Sequence, residues 1–308
     1  MADMTLPRVD TVVTYPSGAV ASSGVIVHVS PVDDGRVVVL LDRTACHPVD
    51  AAWPDQGADR ATLSVGGRSF TVVDCVVGAT DRAQLFLGPD VPVRPGAEGW
   101  AFVVAHVVEP GAAGGVLVEG ATAQVEVDPA YRRALSAGHT ACHLASLALN
   151  EALAGAWSKE VTVDGRGNPN FDQLAIESST IEPDGSVDVY RIGKSLRKKG
   201  FTPAVLTEGG GLGALAAAVD ARLAEWCASG ARVEVRQDGD ERGLSGRRTW
   251  TCALPYGTVS IPCGGTHLGS LAEFDAVHVA FDLVEQPGAL ELRMRTTAAV
   301  APLAAVEG

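Results

Sequence analysis

The chain has no run of 18 uninterrupted apolar residues, the length at which a segment reads as a helical membrane span, so no transmembrane helix is expected. Its first residues, Met1-Ala-Asp-Met-Thr-Leu-Pro-Arg-Val-Asp10, lack the basic start and apolar centre of a signal peptide, and the expected compartment is the cytoplasm. Positive charge is scarce. Against 37 Asp and Glu stand 24 Lys and Arg, a net charge of −13, which opposes a general nucleic-acid-binding surface because Lys and Arg contacts to phosphate dominate such affinity. The six cysteines, at positions 46, 75, 142, 227, 252 and 263, form no compact framework, which argues for reduced thiols over disulfides. There is no internal repeat and no low-complexity tract.

With 308 residues, 46% of them apolar, two domains with separate cores are expected. Between residues 10 and 105, short stretches alternate apolar and polar residues: 24–30, 35–42, 61–65, 69–77, 83–87 and 101–107. Their spacing, with Gly and Asp at the turns, predicts a small all-β barrel or sandwich over 1–110. Gly111-Ala-Ala-Gly-Gly115 reads as a connector. An α+β domain is expected over 120–308. Asp128-Pro129 offers an N-cap and a first helical residue for a helix reaching about Gly155, apolar nearly all round and therefore buried. Strands are expected at 174–180, 187–192, 232–236, 248–254 and 278–284, with a second helix over 212–229.

The predicted first helix carries His139-Thr-Ala-Cys-His143. Residues four apart on a helix lie on one face, so His139 and His143 can present two imidazoles to one ion. Far downstream, Cys263-Gly-Gly-Thr-His267 offers a thiolate and a third imidazole, with glycines that let the backbone turn sharply. Together the four side chains read as one zinc site. The histidines at 28, 47, 106 and 278 occur singly, His47 being the best of them as a functional residue, and Cys75, Cys227 and Cys252 read as small core residues. Arg191-Ile-Gly-Lys-Ser-Leu-Arg-Lys-Lys199 concentrates five positive charges with no negative one, and Arg247-Arg248 adds a second small cluster. These segments are either a local basic patch or a solvated charged face.

These motifs resemble those of the stand-alone alanyl-tRNA editing proteins, which are related to the editing domains of alanyl- and threonyl-tRNA synthetases. That family pairs a helical His-Thr-Ala-Thr-His with a later Cys-Gly-Gly-Thr-His and binds one zinc ion. Leu41-Asp-Arg-Thr-Ala-Cys-His-Pro48 also resembles the family's Leu-Asp-Arg-Thr-Ala-Phe-Tyr-Pro. The resemblance implies a β-barrel followed by an α+β editing-type domain. It further implies hydrolysis of the ester joining a wrong amino acid, serine or glycine, to alanine tRNA, with His139, His143, Cys263 and His267 on zinc. Zinc can polarise a carbonyl or acidify a water. Four protein ligands typify structural zinc, whereas catalysis needs an exchangeable position. One ligand is then loose, or the coordination expands, or the metal mainly orients substrate and fold.

The resemblance also places Thr140, Cys142, Glu273 and Lys159 at the catalytic centre, and Thr44, His47 and Trp53 against the substrate. Cys142 replaces the family's second Thr, and an ungapped count puts Lys159 where editing domains carry a Gln. Glu273 keeps an acid from the family's Thr-Gly-Glu, here Leu271-Ala272-Glu273, and would orient an imidazole or a water. The barrel's Gly-Gly-Gln is not matched in the stretch 49–56, where Trp53 brings bulk. Lys194, Arg197, Lys198 and Lys199 would meet tRNA phosphates. Two other readings stay open: a hydrolase of the same fold acting on another acyl ester or amide, and a non-catalytic zinc-stapled binding protein.

Overall fold

The computed structural model describes residues 6–32, 35–238 and 242–301. It is mixed α and β, and its strands are β1 (Val12–Val13), β2 (Ala21–Pro31), β3 (Val37–Leu41), β4 (Arg43–Thr44), β5 (Ala61–Val65), β6 (Arg68–Thr80), β7 (Leu85–Leu87), β8 (Ala101–Val108) and β9 (Thr122–Val127). After α1 (Pro129–Ala152) and α2 (Phe171–Ala175) come β10 (Ile176–Glu182), β11 (Gly185–Ile192), α3 (Lys194–Lys198) and α4 (Gly211–Ala228). The chain ends with β12 (Val233–Gln237), β13 (Arg248–Leu254), β14 (Gly257–Pro262), β15 (Phe274–Gln286) and β16 (Ala289–Val300). Among the described residues the contacts cluster into two compact units, one drawn from 1–133, 235–249 and 262–266 and the other from 134–234, 250–261 and 267–308. No helix among the described residues is long and apolar enough to cross a membrane.

In the first unit, strand order β5-β9-β2-β3-β8-β6 closes on itself through β5–β6 pairing, giving a six-stranded barrel with β7 added to β6. The expected strands are all present, and β9 is a further strand outside the alternating stretches. Closure removes the exposed edges that an open sheet would leave. Inward residues Val39, Leu41, Leu63, Val104, Val108 and Val125 build one core. The opposite faces of β3 and β8 are buried as well, through Val38, Leu40, Val103 and Ala105, which is why these strands read as unbroken apolar runs. Arg132, on the first turn of α1, is buried against the Asp59 carboxylate and donates to the carbonyls of Ala45 (2.8 Å) and Ala19 (3.2 Å).

In the second unit, an antiparallel sheet of order β10-β11-β16-β15 carries the helices. α4 turns Leu215, Val219, Leu223 and Trp226 inward at helical spacing, and its Asp220 accepts the Val279 N–H at 2.8 Å, tying the helix to β15. α1 begins as expected, with Asp128 Oδ1 capping the N–H groups of Ala130 and Tyr131 at 3.0 Å. Its middle is pressed onto the β10–β11 turn. A Cβ on Gly138 would stand 2.4 Å from the carbonyl oxygens of Glu182 and Gly185. Alanine gains about 1 kcal/mol in helix propensity over glycine, but the overlap is with backbone that cannot move aside. Gly138→Ala is therefore expected to destabilise the protein by about 1–3 kcal/mol and to displace His139, which a denaturation midpoint and metal affinity measure together.

Candidate metal centre

Helical spacing brings His139 and His143 to the same side of α1, their ring centroids 4.9 Å apart. His267 lies 4.3 Å from the first ring and 5.1 Å from the second. Cys263 joins them: one donor atom from each of His139, His143, Cys263 and His267 falls within 4.8 Å of every other. The four expected ligands thus form one donor group.

The state of these donors suits a cation. Nε2 of His143 is buried with no hydrogen-bond partner among the described residues, a costly arrangement for a polar atom, and burial lowers the ring's pKa to about 4, so it is neutral with a lone pair near pH 7. Burial pushes the Cys263 thiol up to about 12, so an ion must displace its proton. Three imidazoles and one thiolate are the donor types of zinc and its borderline neighbours.

The surroundings fix these donors. Trp250, fully buried, stacks at a tilt 4.9 Å from the His143 ring. Thr140 is fully buried, and its Oγ1 accepts the Leu268 N–H at 3.1 Å and lies 3.3 Å from Nδ1 of His267. Its role is to orient His267, a partnership that supports metal-binding imidazoles generally. Thr140→Val keeps the shape and removes the oxygen; metal affinity should fall about 10–100-fold with the fold intact, as a competition titration with a chromophoric chelator would show.

One contributor went unrecognised in the sequence. Gln56 is buried and grips Thr266 of the Cys-Gly-Gly-Thr-His motif from two sides: Nε2 donates to Thr266 Oγ1 at 2.9 Å, and Oε1 accepts the Thr266 N–H at 3.0 Å. The stretch 49–56 lacks the two glycines of Gly-Gly-Gln but ends in this glutamine. A lone Gln after Pro54-Asp55 was the available signal.

The other expected site residues have local partners of their own. The Cys142 thiol points to Asp188 (3.5 Å) and lies 3.7 Å from Ser179 Oγ, in a buried polar cluster with Ser186. Burial raises the pKa values of both Cys142 and Asp188. Glu273 Oε1 accepts the Gly269 N–H at 3.0 Å, bracing the turn after His267. Lys159 donates to the Lys198 carbonyl at 3.0 Å and so joins the basic stretch. There Lys194, Arg197, Lys198 and Lys199 are all exposed around the buried anchor Leu196, and Arg191 pairs with Glu177 at 3.8 Å. A cleft of about 560 Å³ opens beside them, lined in part by Glu177, Arg191 and Lys194. The second basic pair does not form a patch: Arg248 is buried and donates to the carbonyls of Gly243 (2.7 Å) and Leu244 (3.1 Å).

In the barrel, Thr44 is fully buried against His106. His47 is buried edge-on to Tyr15, 4.9 Å between rings, and burial lowers its pKa to about 4. Trp53 is 54% exposed, so its indole is open to a ligand. No family model matches the chain, and no curated protein matches it either.

Proposed function

We propose that the protein is a zinc-dependent deacylase that hydrolyses the ester of mischarged alanine tRNA, the activity its motifs imply by resemblance. The observation that carries this reading is the unpartnered, buried Nε2 of His143 within a group of three imidazoles and one thiol. Zinc bound there would supply Lewis acidity toward an ester carbonyl. The chain's own residues do the rest. Thr140 holds Nδ1 of His267, so Nε2 is the nitrogen this ring offers. Gln56 fixes Thr266 between Cys263 and His267, and Trp250 packs over His143 and away from solvent. The exposed cations Lys194, Arg197, Lys198 and Lys199, with Lys159 beside them, suit the phosphates of the acceptor end.

A second reading, a hydrolase acting on another acyl ester or amide, is favoured by Cys142, whose thiol is spent on Asp188. Alanine tRNA charged with serine, glycine or alanine separates the two. Release of serine or glycine with alanine spared supports editing. Turnover of small esters alone supports the second reading.

A further inference from the structure

The barrel interior holds a second convergence of soft donors. Cys46 and Cys75 are wholly buried and reduced, and one donor atom from each of Cys46, Cys75 and His106 lies within 4.8 Å of the other two. Strand register makes the group: Cys75 on β6 sits directly opposite His106 on β8, and His106 sits opposite Val39 on β3. Cys46 follows Thr44 in the turn after β4, its N–H donating to Thr44 Oγ1 at 3.0 Å.

We propose that Cys46, Cys75 and His106 form a second, three-donor site for a divalent thiophilic cation of the zinc type, inside the barrel and separate from the His139 group. The imidazole is already arranged for it. Nδ1 of His106 donates to the Val39 carbonyl at 3.1 Å, which fixes the tautomer and puts the lone pair on Nε2. A carbonyl on the remote nitrogen is the usual support of a metal-binding histidine. The Thr44 hydroxyl now occupies that lone pair at 2.9 Å. On binding, the cation takes the place of the hydroxyl proton at Nε2, while Thr44 Oγ1 keeps the Cys46 N–H.

Charge selects the ion. The walls are apolar, with Val39, Leu41, Val104 and Val108 in the same core, so a site with net charge would be costly. Two thiols lose their protons to solvent, and two thiolates with one neutral imidazole balance a divalent cation to zero. A monovalent cation would leave one buried negative charge. Distances agree: zinc-to-sulfur bonds of about 2.3 Å in tetrahedral geometry put two sulfurs about 3.8 Å apart, so the group needs to contract by no more than about 1 Å. Sequence spacing could not reveal this site, because its ligands come from three segments with no metal-binding pattern.

The test is cobalt reconstitution of the full-length, reduced, metal-stripped protein. Wild type should take up two equivalents, with thiolate-to-cobalt absorption stronger per ion than that of a one-thiolate site. Cys75→Ala and Cys46→Ala should each reduce uptake to one equivalent and leave the weaker spectrum of the His139 group. His139→Ala with His267→Ala should leave one equivalent with the stronger spectrum, so failure of either site is seen separately. A single equivalent in wild type, unchanged by Cys75→Ala, would overturn the proposal, as would a Cys46–Cys75 disulfide in protein purified without reductant. If Cys75→Ala does not fold, Cys75→Ser and His106→Gln give the same reading at similar volume.

Discussion

If the protein is the metal-dependent deacylase proposed above, replacing His143 with alanine should abolish metal uptake by the His139 group and lower hydrolysis by about 10³-fold or more, the ion being the Lewis acid. The buried Nε2 without a partner is the reason, because an ion there removes the cost of burying that atom bare. Cys263→Ala should do the same through a different donor. Loss of metal should also lower stability, since an ion that binds only the folded chain contributes about 4 kcal/mol at 1,000 times its dissociation constant. The pH dependence has a definite sign. His143, lowered to about 4, carries no proton to displace at neutral pH, whereas Cys263, raised to about 12, carries one throughout the physiological range. Metal binding must therefore release at least the Cys263 proton, and apparent affinity should rise at least about tenfold per pH unit between about pH 5 and pH 8. Metal analysis and calorimetry in buffers of different ionisation enthalpy measure both.

The second large effect lies in the barrel unit. Arg132 and Asp59 are both buried, their side chains 5% and 0% exposed, and the guanidinium also serves the carbonyls of Ala19 and Ala45. Arg132→Met leaves the Asp59 carboxylate buried without its counter-charge, with the His47 N–H still donating to it at 2.5 Å. Removing one partner of a buried pair costs about 3–5 kcal/mol, a large share of the roughly 5–15 kcal/mol that holds a domain folded. Asp59→Asn with Arg132→Met removes the stranded charge and should recover much of the loss. Urea unfolding of the three variants decides it: equal stability of single and double variants would mean that the pair does not act as argued.

How far the sequence carried varies with the range of the interaction. α1 was legible because Asp128-Pro129 caps it and because His139 and His143 recur at helical spacing, both local signals. The barrel strands were legible by alternation, but the pairing of β5 with both β6 and β9 is long-range, and β9 itself is only six residues. β14 and β16 were missed; β16 alternates, yet its many Ala and Thr residues blur the contrast between faces. At the candidate site, the four clustered His and Cys side chains were legible in type. The contacts that position them were not: Thr140 to Leu268, and Gln56 to Thr266 across 210 residues, exist only after folding. Lys159 fell to the basic stretch because an ungapped count cannot follow the turn that returns residues 158–159 to Gly200. Cys142, one residue before His143, faces Asp188 because adjacent helical positions diverge by about 100°.

The most direct test of the central claim is the rate of serine release from mischarged alanine tRNA by the metal-stripped protein, before and after zinc is restored to the His139 group. Release that is absent without the ion, returns with it, and fails to return in His143→Ala is the predicted result. Equal release with and without the ion would contradict a metal-dependent deacylase, as would no release from protein shown to hold zinc on His139, His143, Cys263 and His267.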